Sequence, residues 1–165
     1  MNTADYVLFD PEVVRRPPGS PCFICEIVSR TDSRHHVWYE DDVAIAFLNL
    51  YPRLLGYTLV APKRHLEDVT GDFAISEYLA LQRAVYRVGE ALRSVLPTER
   101  LYILSLGSRQ ANAHVHWHVA PLPPGVPFEE QQFAALDRPV VLAPNDAEQE
   151  HLAKQLGEAV TARRM

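Results

Sequence analysis

The segment His114-Val115-His116-Trp117-His118-Val119 alternates imidazole with apolar side chains over six residues. Successive side chains of a strand point to opposite faces. The pattern therefore predicts a strand that buries Val115, Trp117 and Val119 and gathers His114, His116 and His118 on its other face. With seven histidines in 165 residues, such a triplet arises by chance in roughly one chain in a hundred, so the pattern carries weight. In a strand the three rings would sit ~6.5–7 Å apart and span about 13 Å. Two histidines at i and i+2 can converge on one metal, but with Zn–N bonds of only ~2.0–2.1 Å all three are not expected to share an ion. A row of imidazoles suits a phosphorylated substrate lying along the strand instead. A neutral imidazole is a good nucleophile, and a pKa near ~6.5 lets a neighbour donate a proton. The bland alternative is a solvated strand face.

Around this segment the predicted elements alternate in period. Candidate strands are residues 36–39, 43–48, 57–60 and 101–106, bounded by acidic, proline and glycine turns. Ile75, Tyr78, Leu81, Val85, Val88, Leu92 and Val95 form one stripe of an amphipathic helix, with Asp72 as candidate cap and Pro97 forcing its end. Asn145 followed by Glu148 marks the start of a final helix with Leu152, Leu156 and Val160 on its apolar face. The order β-β-β-α-β-β predicts an α+β domain: a mostly antiparallel five-stranded sheet with one long helix and a C-terminal helix. Prolines 11, 17, 18 and 21 make residues 1–20 an arm, residues 21–128 the domain, and residues 129–165 a C-terminal extension with a helix.

The chain carries 16 basic and 21 acidic residues, a net charge of −5. That excludes binding to a nucleic acid polymer or an anionic membrane by bulk charge. Any positive potential must be local, from the imidazoles with Lys63, Arg64 and Arg109 as neighbours. No apolar run reaches the ~18 residues of a membrane span, and no signal peptide is visible, so a cytoplasmic protein is expected.

The two cysteines form Cys22-Phe23-Ile24-Cys25. A structural zinc site needs four ligands, and with no third cysteine only histidines could complete it. The alternatives are inert thiols or a redox pair. A redox pair expects a helix after the first cysteine; Pro21 and the strand-like sequence beyond Cys25 argue against one.

The triad segment, read on to Ala120 and Pro121, resembles the signature of the histidine triad (HIT) family of nucleotide hydrolases and transferases. The stretches Phe47-Leu48-Asn49-Leu50-Tyr51-Pro52 and Gly56 to His65 resemble that family's nucleoside-binding strand and turn. The resemblance covers roughly Cys22 to Pro127 and implies a HIT-like fold. It also implies that His116 is a nucleophile forming a nucleotidyl-histidine intermediate, that His118 contacts the phosphate and leaving group, and that the His114 carbonyl holds the nucleophile's ring. Asn49 would bind the ribose hydroxyls, with Leu48 and Leu50 near the base. Gln110 matches a family glutamine, Ser105 falls near a phosphate-binding position, and Asn112 stands in for the hydroxyl residue that Ala111 replaces. Some bacterial members bind zinc through a similar cysteine pair, the histidine after Pro-Lys-x and the first triad histidine; here these are Cys22, Cys25, His65 and His114. The retained His118 favours hydrolysis over transfer to sugars. The implied partners are a small nucleotide and a second copy of the chain, since HIT proteins are commonly homodimers.

The leading expectation is a hydrolase acting on a nucleoside phosphoramidate or dinucleoside polyphosphate. The competing ones are a dinucleoside polyphosphate phosphorylase, a metal-dependent hydrolase built on His114, His116 and His65, and a non-catalytic nucleotide-binding module.

Overall fold

A computed structural model describes residues 6–14, 17, 19–108, 112–136 and 139–162. The strands are β1 (Tyr6–Leu8), β2 (Val37–Glu40), β3 (Ala44–Leu48), β4 (Thr58–Pro62), β5 (Arg100–Ser105), β6 (Trp117–Leu122) and β7 (Val140–Leu142). The α-helices are α1 (Phe23–Val28), α2 (Ile75–Val95), α3 (Gln131–Leu136) and α4 (Asp146–Ala162). Five strands form one antiparallel sheet, as expected from the sequence, and their order is β2-β3-β4-β6-β5.

Both faces of the sheet are covered, which is why β3 and β4 read as continuous apolar runs. On one side Ala46, Leu48, Val60, Trp117 and Val119 pack under α2 and α4. On the other, Ile45, Phe47, Leu59, Ala61, Ala120 and Leu122 meet Ile24 and Ile27 of α1 and Ala134 and Ala135 of α3. His118 alternates with Ala120 and Leu122, so it opens onto this second side.

In α2 the predicted stripe buries Leu81, Val85, Val88 and Leu92 completely or nearly so, each such side chain stabilising the fold by about 1.5–3 kcal/mol. Ile75, at the head of that stripe, is exposed instead. The helix begins after Ala74, whose N–H donates to Glu77 Oε2 at 3.0 Å, not at Asp72. Asp72 Oδ2 accepts from the amides of Glu67 and Asp68, both at 2.8 Å, and so stabilises the preceding turn. At α4 the sequence signature holds: Glu148 N–H donates to Asn145 Oδ1 (2.9 Å) and Asn145 N–H to Glu148 Oε2 (3.0 Å), a reciprocal capping box.

Three features differ from the sequence reading. Residues 23–28 form a helix where strand-like sequence was expected, because α1 is too short to display a helical period yet buries Ile24 and Ile27 three apart. The arm and the extension meet, β1 pairing antiparallel with β7 from Tyr6↔Leu142 to Leu8↔Val140. Three-residue strands carry no readable alternation. Finally, β6 starts at Trp117, so His114 and His116 precede the strand. There the backbone is held by Val115 N–H donating to Leu66 O at 2.7 Å rather than by the ladder.

Candidate active site and metal centre

Where the chain enters β6, four metal-competent side chains converge from three distant segments. Cys22 and Cys25 come from the start of α1, His65 from the turn after β4, and His114 from the approach to β6; their ligand atoms all lie within 4.8 Å of one another. Cys22 Sγ is 3.4 Å from His114 Nδ1, Cys25 Sγ 3.6 Å from the same nitrogen, and Cys25 Sγ 3.3 Å from His65 Nδ1. Zn–S bonds near 2.3 Å and Zn–N bonds near 2.0 Å in a tetrahedron give S···N edges of about 3.5 Å. The donor set and its spacing therefore fit a four-coordinate structural zinc.

The outer atoms of both imidazoles are also held in the way a metal requires. His114 Nε2–H donates to Pro62 O at 2.9 Å, which turns the Nδ1 lone pair toward the thiols. His65 Nε2 lies 3.2 Å from Glu67 Oε1. Burial above all pushes the His114 imidazole down to about 4, so it is a neutral ligand near pH 7. Burial, then the neighbouring Cys22, pushes the Cys25 thiol up to about 11; a divalent cation is the counter-charge that would reverse this.

His114 also touches the next member of the triad. Its carbonyl accepts from His116 Nδ1–H at 2.8 Å. A carbonyl can only accept, so the His116 proton sits on Nδ1 and the Nε2 lone pair is left for chemistry. The ring is 2% exposed, and burial drives its pKa below the ordinary histidine value. The His116 and His118 ring centroids are 4.8 Å apart, much closer than the in-strand spacing expected from sequence. His114 turns away, its ring 4.8 Å from that of His65. The structure thus divides the triad into one metal-side imidazole and two adjacent ones.

The HIT domain profile matches residues 30–124, more than half of the chain. The chain belongs to the HIT family. An uncharacterised HIT-like protein of Saccharolobus solfataricus is 32% identical over 105 residues, covering 61% of this chain and 73% of its own. Among solved structures, a hypothetical histidine triad nucleotide-binding protein of Sulfolobus tokodaii superposes with a TM-score of 0.71 at 26% identity, over 87% of this chain and 94% of that one. A Zn-bound histidine triad family protein of Mycobacterium smegmatis gives 0.66 at 28% identity, over 87% and 95%. The fold is therefore that of HIT nucleotide-binding hydrolases and transferases.

The remaining HIT-type positions are distributed around His116 and His118. Ser105, at the end of β5, donates its hydroxyl to His116 O at 3.1 Å and so braces the triad backbone. Asn112 bridges Ser108 across the turn, and Gln110, Ala111 and Arg109 lie outside the described residues. Asn49 Oδ1 accepts from Tyr51 N–H at 2.9 Å, closing the turn after β3. Leu50 is half-buried, whereas Leu48 is 2% exposed and belongs to the core under α2 and α4. The cations expected nearby are paired elsewhere: Lys63 with Glu40 at 2.7 Å and Arg64 with Glu77 at 3.0 Å.

Four residues escaped the sequence reading. Tyr57 Oη lies 3.2 Å from His118 Nδ1. Burial pushes this phenol up to about 12 and the His118 imidazole down to about 3, so both are neutral near pH 7. In the tautomer protonated at Nε2 the phenol donates to Nδ1, and the Leu106 backbone also takes a hydrogen bond from the ring. The Phe23 ring stands edge-on to His116, centroids 6.4 Å apart. The Arg53 charge acts on both His118 and Tyr57, its guanidinium carbon 5.5 Å from the centroid of Phe9. At Gly107 a Cβ would fall 2.9 Å from Asn112 O and 3.8 Å from His116 Cε1. Tyr57, Phe23 and Gly107 lie in stretches that the sequence marks for other reasons, and only the tertiary structure brings them and Arg53 to the imidazoles.

Proposed function

We propose that this protein is a nucleotide-binding phosphohydrolase acting at the α-phosphate of a nucleoside phosphoramidate or dinucleoside polyphosphate through a nucleotidyl-His116 intermediate. The observation that carries the reading is the 2.8 Å bond from His116 Nδ1–H to His114 O. It presents a neutral Nε2 lone pair in a fixed direction, the arrangement a covalent imidazole catalyst needs. Nε2 forms a bond to phosphorus as the bond to the leaving group breaks, and that group departs with the electron pair and takes a proton from water. His118 Nε2–H hydrogen-bonds the phosphate oxygens and the leaving atom. Water then cleaves the N–P bond, releasing nucleoside monophosphate and neutral His116. Asn49 and Leu50 would hold the nucleoside, with Ser105, Asn112 and Gln110 around the phosphate.

Cys22, Cys25, His65 and His114 would hold a zinc ion whose contribution is structural. His114, held at such an ion, would be fixed together with its carbonyl and so His116, while His116 and His118 would remain unligated. The Zn-bound mycobacterial relative supports this assignment.

A homodimer is part of the reading. The outer edge of β5 pairs with no strand among the described residues, and Ile103 on it is 47% exposed, with Leu79 and Tyr86 of α2 at 54% and 69%. An open edge beside apolar surface favours a second copy.

Intact-mass measurement on acid-quenched enzyme, screened over adenylated and guanylated phosphoramidates and dinucleoside polyphosphates, tests the chemistry. A nucleotide adduct on wild type that is absent in His116→Ala is expected. Full turnover in pure His116→Ala removes the covalent mechanism. Product analysis with added inorganic phosphate separates capture of the adduct by water from capture by phosphate.

A further inference from the structure

Outside the triad, a cavity of about 380 Å³ lies where the 49–56 loop, the first turns of α4 and the β1–β7 ribbon meet. Its walls are mostly apolar, with Tyr6, Leu54, Leu55, Tyr57 and Leu142 among them, and Gln149 supplies an amide. Small-molecule sites have this volume and this mixture, apolar walls with a few polar groups that orient the ligand.

Two placements give the cavity a meaning. Tyr57 forms one wall while its hydroxyl meets His118, so one side chain separates the cavity from the imidazole next to His116. On the other side Gln149 Nε2–H donates to Asn49 O at 3.5 Å, linking the cavity to the loop that carries Asn49. Tyr6, Leu142 and Gln149 also lie outside residues 30–124. The HIT core by itself does not build this space; the arm and the extension complete it. At the mouth, Tyr6 and Leu55 are 47% and 39% exposed, apolar surface that a flat ligand would cover.

We propose that this cavity is a subsite for a planar aromatic ring of the substrate, held between apolar walls with Gln149 reaching a polar edge of the ring. The proposal rests on the phosphate chemistry assigned to His116 and His118. Two parts of such a substrate can carry the ring, the nucleobase or the leaving group, and Tyr57 is the side chain shared by the cavity and His118.

Calorimetric binding separates these sources without requiring turnover. AMP against ribose 5-phosphate reports on the base, and tryptamine against ethylamine, each with ribose 5-phosphate present, reports on the leaving group. Both pairs are measured on wild type, Tyr6→Ala and Leu55→Asp, variants at exposed positions whose folding is checked by circular dichroism. In one pair, the ratio of affinities with and without the ring is expected to fall about three- to tenfold in both variants, the value of an aromatic contact. If no pair shifts in both variants, the proposal is overturned. A cavity filled by a second copy of the chain gives that same null result. The adduct experiment on His116 does not depend on these equilibria, so failure of the subsite and failure of the phosphohydrolase reading are told apart.

Discussion

Tyr57→Phe deletes a single hydroxyl at the back of the reaction centre. In the folded protein that hydroxyl is the partner of His118 Nδ1 at 3.2 Å, and Tyr57 is 4% exposed, so water does not replace it freely. Leaving a buried acceptor unpaired costs about 1–3 kcal/mol. The imidazole can recover part of this by moving its proton to Nδ1, but then Nε2 no longer presents a proton to the phosphate. Either outcome is paid at the transition state, where ~1.4 kcal/mol is a factor of ten. We expect kcat to fall about 10- to 100-fold with KM within about threefold, and Tm to drop by a few degrees, as about 1 kcal/mol does in a domain of this size. Steady-state kinetics on adenosine 5′-phosphoramidate and a thermal melt measure both. A kcat within twofold of wild type alongside a lowered Tm would show that Tyr57 only packs, and the positioning role would be lost.

Metal analysis of protein purified without added zinc should find about one equivalent, falling sharply in Cys22→Ser together with Tm; less than ~0.3 equivalents in both proteins removes the zinc assignment. Burial holds His116 below the ordinary value of 6.5, so the nucleophile stays neutral as pH falls through 6.5. The acid limb of kcat/KM should therefore lie below pH 6.5, and an inflection at or above it contradicts the buried-nucleophile reading. His118 is held down to about 3 in the folded state against 6.5 unfolded. Below 6.5 the unfolded chain binds the extra proton, so stability is full above pH 6.5 and declines toward pH 3, by on the order of 5 kcal/mol at most; denaturant melts over that range read it. Gly107→Ala places a methyl 2.9 Å from Asn112 O, and the backbone must shift beside His116. The expected result is a kcat loss of about tenfold or more with little change in Tm. Unchanged kcat means that the turn yields without disturbing the ring.

Local chemistry determined much of this protein before any tertiary contact was known. Short apolar runs between turn residues placed four of the sheet strands and the neighbourhood of the fifth, the 3-and-4 spacing of Leu81, Val85, Val88 and Leu92 placed the face of α2, and Asn145 with Glu148 placed the start of α4. Each rests on neighbours within a few residues, and that is information a sequence carries directly. Family resemblance added the Cys22, Cys25, His65, His114 set, which converges in space.

What the alternation at 114–119 could not determine was where strand β6 begins. A ladder exists only where a partner runs alongside, and β4 pairs with β6 only from Thr58 to Val60, against Val119 to Trp117. Upstream of Trp117 the chain leaves the ladder, Pro62 O takes the His114 ring, and the row of three imidazoles becomes one metal-side ring and two adjacent ones. The same holds for Tyr57 against His118, for Lys63 on Glu40, and for β1 on β7. These pairings join residues far apart in the chain, and only burial in a common fold brings them within bonding distance.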